Sequence, residues 1–338
     1  MRALLKWKKS LLFFVGVPIL LLLISLAYGM YQYKHLFDRI YDEGSENRQM
    51  SLVPEPPPIG VGNAVKKGEE RSRKLRPFTL LILGIDSRGE AKARSDTMMI
   101  AAINPILHKV TLLSIPRDTR IKTIKYGHEK INHTMFLGGV PLVEDTLESF
   151  LGISIDRYIT IDFEGFRRLI DALGGIEVDV KKRMKYRDPS DGTDINLKPG
   201  KQRLNGKEAL DYARYRKSDI GRDDSDFERI ARQQQVMRAL LKKAEKNLTL
   251  FNLSDLMDIL GDHVKTDLTQ EELERLAHDY QENKIIKLEN ITLSGKDRFL
   301  PYKGHILYFF VVEAGERERV RNLLKNALSE HETNPIGP

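Results

Sequence analysis

Residues Leu11 to Met30 form the run LLFFVGVPILLLLISLAYGM, which carries no charge. A helix of that length crosses a hydrocarbon core of about 30 Å. The run is apolar all round, which suits lipid better than the one-sided core of a globular domain. Arg2, Lys6, Lys8 and Lys9 precede it, and the positive-inside rule then keeps the N-terminus in the cytoplasm. The competing reading is a cleaved signal peptide with Ser25-Leu26-Ala27 at its end. The apolar core is longer than a usual signal region, so the expectation is an uncleaved signal-anchor. No second run of this length follows, so the chain is expected to cross once and to place its body outside the cell.

That body must be a folded domain. The chain has 338 residues, 41% apolar and 30% charged, with no cysteine and a net charge of +7. Disulfides, thiolate nucleophiles and cysteine-held zinc are excluded. The positive excess beyond the N-terminus suits an anionic partner such as phosphate, glycan polyanion or lipid headgroup. The layout expected is a cytoplasmic tail (1–10), the anchor (11–30), a linker (31–76), one catalytic domain (77–330) and a tail (331–338). Pro54-Glu55-Pro56-Pro57-Pro58 and the charged tract up to Arg76 predict an extended spacer.

The domain opens with a buried strand, Phe78 to Gly84, leading into Asp86. Thr97–Ile103 and Val110–Ile115 follow as a hairpin across Asn104-Pro105. Leu142–Leu151 has helical character. Arg157–Ile161 is a strand, Asp162 caps a helix from Phe163 to Leu173, and Gly174-Gly175 ends it. Ile176–Val180 alternates as a strand. Lys181–Gly200 is expected as a polar loop, and Ala209–Arg216 as a packed strand. A long helix over Phe227–Lys246 carries a capping box from Ser225 and Glu228, and Thr269 and Glu272 repeat that signal. Strands Lys287–Leu293 and Ile306–Val312 and a last helix close the chain. Strands interspersed with helices, with an early hairpin, predict an α/β fold: one α-β-α domain around a central mixed sheet.

Five constellations carry chemistry. Asp86 and Asp96, flanked by Arg88 and Arg94, suit a metal-bridged phosphate site, or a turn with surface ion pairs. Pro116 ends a strand and sets Arg117 at the sheet's rim, beside Asp118. Lys130 opens the short motif Lys-Ile-Asn-His. Arg214 and Arg216, two apart on a strand, would share one face, and a bound polyphosphate would satisfy both guanidiniums. Arg229, Arg232 and Gln233 fall on one side of the long helix near its N-terminus, where anions are favoured. There is no G-x-S-x-G elbow and no proper P-loop.

The ordered series GID-x-R, RSDTMMI, SIPRDTRI, KINH, LNGKEALDYARYR and R-x-x-R-Q-Q-Q resembles the LytR-CpsA-Psr family over roughly Phe78 to Leu241. The resemblance implies a membrane-anchored phosphotransferase. It would move a teichoic acid or similar glycopolymer from a polyprenyl diphosphate carrier to a muramic acid hydroxyl of peptidoglycan. It implies magnesium or manganese on Asp86 and Asp96. Diphosphate binding would fall to Arg88, Arg94, Arg117, Lys130, Arg214, Arg216, Arg229 and Gln233, with Asp86, Arg117, Arg214 and Arg216 taking part in catalysis. Arg222, in the aspartate-rich segment Ile220–Ser225, competes with Arg229 for its place. The implied setting is the outer face of the cytoplasmic membrane of a Gram-positive-like bacterium, with no nucleic acid partner. An apolar tunnel for the polyprenyl chain is expected between sheet and helices. The alternatives are a polyprenyl diphosphate phosphatase, and a non-catalytic regulator or wall-polymer binding protein.

Overall fold

The computed structural model describes residues 37–42, 52–53, 75–86, 94–189, 192–247, 261–283 and 287–329. The expected anchor, both tails and the proline tract lie outside the described residues. Among the described residues no helix is long and apolar enough to cross a membrane.

A mixed six-stranded sheet runs through the domain. Its strands are β1 (Phe78–Asp86), β2 (Arg94–Asn104), β3 (Lys109–Ile115), β6 (Arg157–Asp162), β11 (Val264–Thr266) and β12 (Lys287–Thr292). The order is β11-β6-β1-β2-β3-β12. The β2–β3 pair is antiparallel, as the Asn104-Pro105 turn predicts, and so is β1–β2, while β1–β6 and β3–β12 are parallel. Alternation divides the side chains between two faces. Leu81, Leu83, Met98 and Ile100 pack on one side with helices α1 (Ile131–Leu151) and α6 (Ala314–Ala327). Leu80, Ala101 and Leu112 pack on the other, against α4 (Asp226–Asn247) and α5 (Gln270–Asn283). The layers are therefore α-β-α.

Several local expectations need correction. The first helix begins at Ile131, well before Leu142, and breaks at Gly138-Gly139. The supposed polar loop 181–200 contains a hairpin of β8 (Met184–Asp188) and β9 (Thr193–Leu197). It closes because Met184, Ile195 and Leu197 turn inward while their neighbours stay polar. β7 (Ile176–Val180) pairs with β10 (Gly200–Leu204) beside it. Arg120–Thr123 (β4) pairs with Gly127–Lys130 (β5), and a further hairpin joins β13 (Lys296–Tyr302) to β14 (His305–Val311).

The segment Ala209–Arg214 is helical, not extended, and Tyr215 and Arg216 lie beyond its end: α3 spans Gly206–Arg214. Asn205 accepts from Glu208 N, and the Glu208 carboxylate accepts in turn from Asn205 N, a full capping box. Two backbone donors are thereby satisfied at the helix start, which outweighs the strand-like pattern. The linker also departs from a plain spacer. Leu52 is fully buried in the sheet's second face, and its N–H bonds Glu272. Asp42 N bonds Thr266 O, and the Tyr158 hydroxyl donates to Asp42. Apolar surface at Leu52 and Leu75 is what ties these pieces down.

Candidate functional site

A cavity opens between the sheet's second face and helices α2 (Phe163–Ala172), α3 and α4. Its empty volume is about 1000 Å³ counting the mouth that is open to solvent. Ile82, Met99, Phe166, Leu210, Val236 and Leu240 line its apolar part, and Asp96, Arg117, Arg214, Arg216, Arg229 and Gln233 its polar part.

Asp96 reaches this cavity through a β-bulge. The β1–β2 register pairs Gly84 with Thr97 but Ile85 with Ser95, leaving Asp96 as the extra residue. Successive side chains of a regular strand point to opposite faces, so Asp96 and Thr97 line one cavity only because the bulge re-aims them. Gly84 leaves room here, since a Cβ would sit 3.0 Å from Thr97 Cβ.

Arg117 is held at the end of β3. Thr119 N–H and Oγ1 both bond Pro116 O, closing a turn. Asn132 N bonds Arg117 O, and Phe310 N bonds Asp118 O, so α1 and β14 brace the loop. The Arg117 guanidinium lies 3.1 Å from Asp96 and 3.6 Å from Asp118. Burial alone would lower its pKa, but Asp96, Asp118 and Asp226 hold it above the usual value.

Arg214 closes α3 and its guanidinium stacks 4.5 Å over the Phe163 ring. Tyr215 turns the chain out of the helix, and Arg216 follows it into the same cavity. α3 can lie this close to α2 because Gly206 meets the Arg167 backbone, where a Cβ would be 2.1 Å from the carbonyl oxygen. Arg229 enters from the first turns of α4, 3.1 Å from Asp226, which also faces Arg216 at 3.8 Å. Burial lowers the Arg229 pKa, with Arg117 and Arg216 adding repulsion that Asp226 and Asp96 oppose.

Neither oxygen of Asp226 finds a hydrogen bond among the described residues, nor do the buried Nε atoms of Arg117 and Arg229. Buried polar groups are rarely left this way in a purely structural cluster. Arg117, Arg214, Arg216, Arg229 and the nearby Lys130 outnumber the carboxylates Asp96, Asp118, Asp162 and Asp226 by one. The cluster's positive excess suits an anion, and its apolar continuation suits a hydrocarbon tail.

Not every expected residue arrives there. Lys130 does not line the cavity; its amine bonds Asp118 at 2.6 Å. Burial raises the Asp118 pKa, yet Lys130, Arg117 and Arg216 bring it below the ordinary value. An aspartate held ionised in this way is a weak base. Asp86 ends β1 opposite Arg94 and does not line the cavity. The Arg94 side chain and all of Arg88 lie outside the described residues. Arg222 pairs with Glu228 at 2.8 Å on the surface, so Arg229 is the arginine that enters the cavity.

Arg232 is a correction. It points away from the cavity, to Asp224, to Tyr212 O at 2.9 Å and to Tyr215 O. At about 100° per residue, Gln233 lies roughly 40° from Arg229 on one side and Arg232 roughly 60° on the other. Arg232 instead ties down the chain between Arg214 and Arg216. Asp224 completes that tie: its buried carboxylate takes both Arg232 and Lys182, and its N–H bonds Arg216 O at 2.7 Å. The following glutamines are tethers too. Gln233 reaches Thr97, Gln234 reaches Ser114, and Gln235 accepts from Tyr212. The sequence pattern does not single out Asp224, because only the folded chain brings Lys182 to it.

A mixed α/β domain with an arginine-lined cavity that continues into apolar walls defines a protein that handles an anion carried on a lipid. The chain belongs to the LytR_cpsA_psr family, whose model matches residues 57–326. It is 34% identical over 322 residues to the Bacillus anthracis polyisoprenyl-teichoic acid–peptidoglycan teichoic acid transferase TagU, covering 94% of this chain and 97% of that one. The transferase TagU of Halalkalibacterium halodurans is 34% identical over 75% of this chain and 79% of its own. Among solved structures, B. subtilis TagV superposes with a TM-score of 0.63 at 31% identity, over 75% of this chain and 97% of that chain. TagT bound to LIIa-WTA gives 0.60 at 28%, over 75% and 91%.

Proposed function

We propose that this chain is a phosphotransferase that moves teichoic acid from a polyisoprenyl diphosphate carrier to peptidoglycan, as the names of its relatives describe for them. The observation that carries this reading is the meeting of Arg117, Arg214, Arg216 and Arg229 at the polar end of a cavity with apolar walls. An amphiphilic donor fits both ends at once.

In this reading the guanidiniums bind the diphosphate bidentately and offset the charge that grows on it in the transition state. The acceptor hydroxyl oxygen forms a bond to the sugar-linked phosphorus. The bond from that phosphorus to the bridging oxygen breaks, and polyprenyl phosphate leaves with the electron pair. The hydroxyl proton passes to solvent or to the leaving phosphate. Arg117, braced by Asp96 and Asp118, holds the donor in line with the incoming hydroxyl.

Among the described residues no three acidic or histidine side chains converge on one point. Magnesium needs only one or two carboxylates when phosphate oxygens complete its shell. Asp96, aimed into the cavity by the bulge, would supply one, and Asp86 at the neighbouring strand end is the second candidate. Bound there, magnesium or manganese would add charge stabilisation to the diphosphate.

The reading places the domain outside the cell, tethered by the segment Leu11–Met30 to the membrane in which the donor lipid resides. Reconstitution with lipid-linked donor and peptidoglycan oligomers tests it. Polymer covalently attached to the oligomer, with release of polyprenyl phosphate, is expected. Free phosphorylated polymer as the only product would replace transfer by hydrolysis.

A further inference from the structure

The second substrate of such a transfer needs a surface of its own beside the arginines. The β13–β14 hairpin lies there. Its register sets Phe299 opposite Tyr308, Pro301 opposite Ile306 and Asp297 opposite Phe310, so these six side chains share one face. The stripe starts at the site. Phe310 N bonds Asp118 O, and the Phe310 ring lies 5.6 Å from Phe227, two residues before Arg229. The Lys130 amine that bonds Asp118 lies 5.6 Å from the Tyr308 ring. From there the stripe runs outward into solvent. Phe299 is 72% exposed, Ile306 65% and Phe227 42%.

The opposite face of the hairpin anchors it. Tyr302 donates to the buried Glu129 at 2.6 Å, Lys303 donates to the same carboxylate at 2.7 Å, and the Tyr302 ring packs on Phe309. A large aromatic surface is thus held open on a rigid support, and rigid support lowers the entropy cost of binding.

We infer that the Phe299–Tyr308–Ile306 face of this hairpin binds the glycan of the peptidoglycan acceptor and presents its hydroxyl to the donor phosphorus. The inference rests on the transfer reading above. Pyranose rings carry faces of weakly positive C–H groups, and aromatic rings offer a negative face to them. Phe299 and Tyr308 meet edge to face at 5.8 Å, and Phe299 keeps most of its ring in solvent. Asp297 fixes the Tyr308 hydroxyl at 2.8 Å. Asp118 and Asp226 both press on the ionisation of that hydroxyl, after burial and Asp297, a second sign that the stripe adjoins the site. Position favours a glycan over a lipid surface. The hairpin abuts the Arg117 end of the cavity, whereas the walls suited to a polyprenyl tail, Val236 and Leu240, lie further along α4.

Binding of soluble, uncrosslinked peptidoglycan oligomers to the full chain in nanodiscs tests the inference. Phe299→Ala with Ile306→Ala should weaken binding about tenfold, the range expected for removing an aromatic ring and its apolar neighbour. Phe299→Trp should retain affinity. Phe299→Leu, apolar but not aromatic, should lose it. Ile124→Ala, at a fully exposed apolar position on another loop, should change nothing. Unaltered oligomer binding in the double variant overturns the inference. So does a loss confined to binding of phosphatidylglycerol vesicles. Wild-type protein that binds oligomers through the hairpin but attaches no polymer would remove the transfer reading and leave this surface standing.

Discussion

Two clusters of arginine and carboxylate among the described residues are built differently. At the β6 edge, Arg157 donates Nε and Nη2 to the two oxygens of Glu272, at 2.9 and 2.6 Å, and Nη1 to Asp156 O. Glu272 also accepts from Thr269 N and Leu52 N. One cation meets one anion, and the donors find acceptors inside the fold. In the cavity, Arg117, Arg216 and Arg229 surround Asp96 and Asp226 with oxygens and Nε atoms left unbonded. The first cluster is complete without a ligand. The second has hydrogen-bonding capacity and positive charge to spare, and it opens to solvent. Charge excess with unmet donors at an open mouth distinguishes a binding site from a structural ion pair.

The contrast breaks most sharply at Glu272. Removing one partner of a buried pair leaves the other charge uncompensated, at a cost of about 3–5 kcal/mol. Glu272→Ala should therefore lower the unfolding free energy by that amount in denaturant titration, since the α5 cap and the tie to Leu52 N go with the carboxylate. A cost near zero would place both clusters in one class. Arg214→Ala should do the reverse. Its guanidinium stacks on Phe163 at the cavity wall, so the thermal midpoint should hold while transfer falls about 10²–10³-fold, as when a charge-stabilising donor is removed. Unfolding in step with inactivation would mean that Arg214 is structural too.

What is legible in the sequence follows the same division. The apolar strands Leu80–Leu83 and Val110–Ile115 and the Asn104-Pro105 turn are local signals, and the sheet assembles from them. Ser225 and Thr269 stand as caps where their spacing to Glu228 and Glu272 predicts, and Asp162 caps α2 as expected. The sequence pattern puts Arg214 and Arg216 together for the wrong reason. It suggests alternation on a strand, whereas a helix end and an extended turn bring them to one cavity. The capping pair Asn205 and Glu208 is the signal that points to the helix. Asp96 needs a bulge, which no residue pattern announces. Asp224 needs Lys182, 42 positions away, and such a pairing exists only after folding.

Asp224 lies between the two clusters in kind, complete like the first but serving the second. Asp224→Asn keeps the shape and removes the charge that joins Arg232 to Lys182. The expected result is a fall in kcat of about tenfold from misplaced arginines, with stability down by about 1–3 kcal/mol. Donor binding and turnover measured separately decide it. Loss of stability with unchanged kcat would show that the Arg214–Arg216 segment holds its place without this tie.

The smallest effect is a pH dependence, and its sign separates the clusters once more. Burial pushes the Glu272 carboxyl up, but the bonds from Arg157 and Thr269 bring it below the usual value. A depressed folded pKa adds stability above the ordinary glutamate pKa of about 4.3. That stability is lost as pH falls through about 4.3 toward the folded value, where the native carboxylate at last takes a proton. Between about pH 5 and pH 3 the wild-type midpoint should therefore drop more steeply than that of Glu272→Gln, by an amount on the order of 2–4 °C. Parallel curves would mean that Glu272 is no better held than a surface acid. Asp118 is also depressed, but its partners Lys130 and Arg117 belong to the site. Asp118→Asn should accordingly act on transfer at neutral pH more than on the acid limb of stability. If it instead flattens that limb as Glu272→Gln does, the Arg117 loop belongs with the structural pairs.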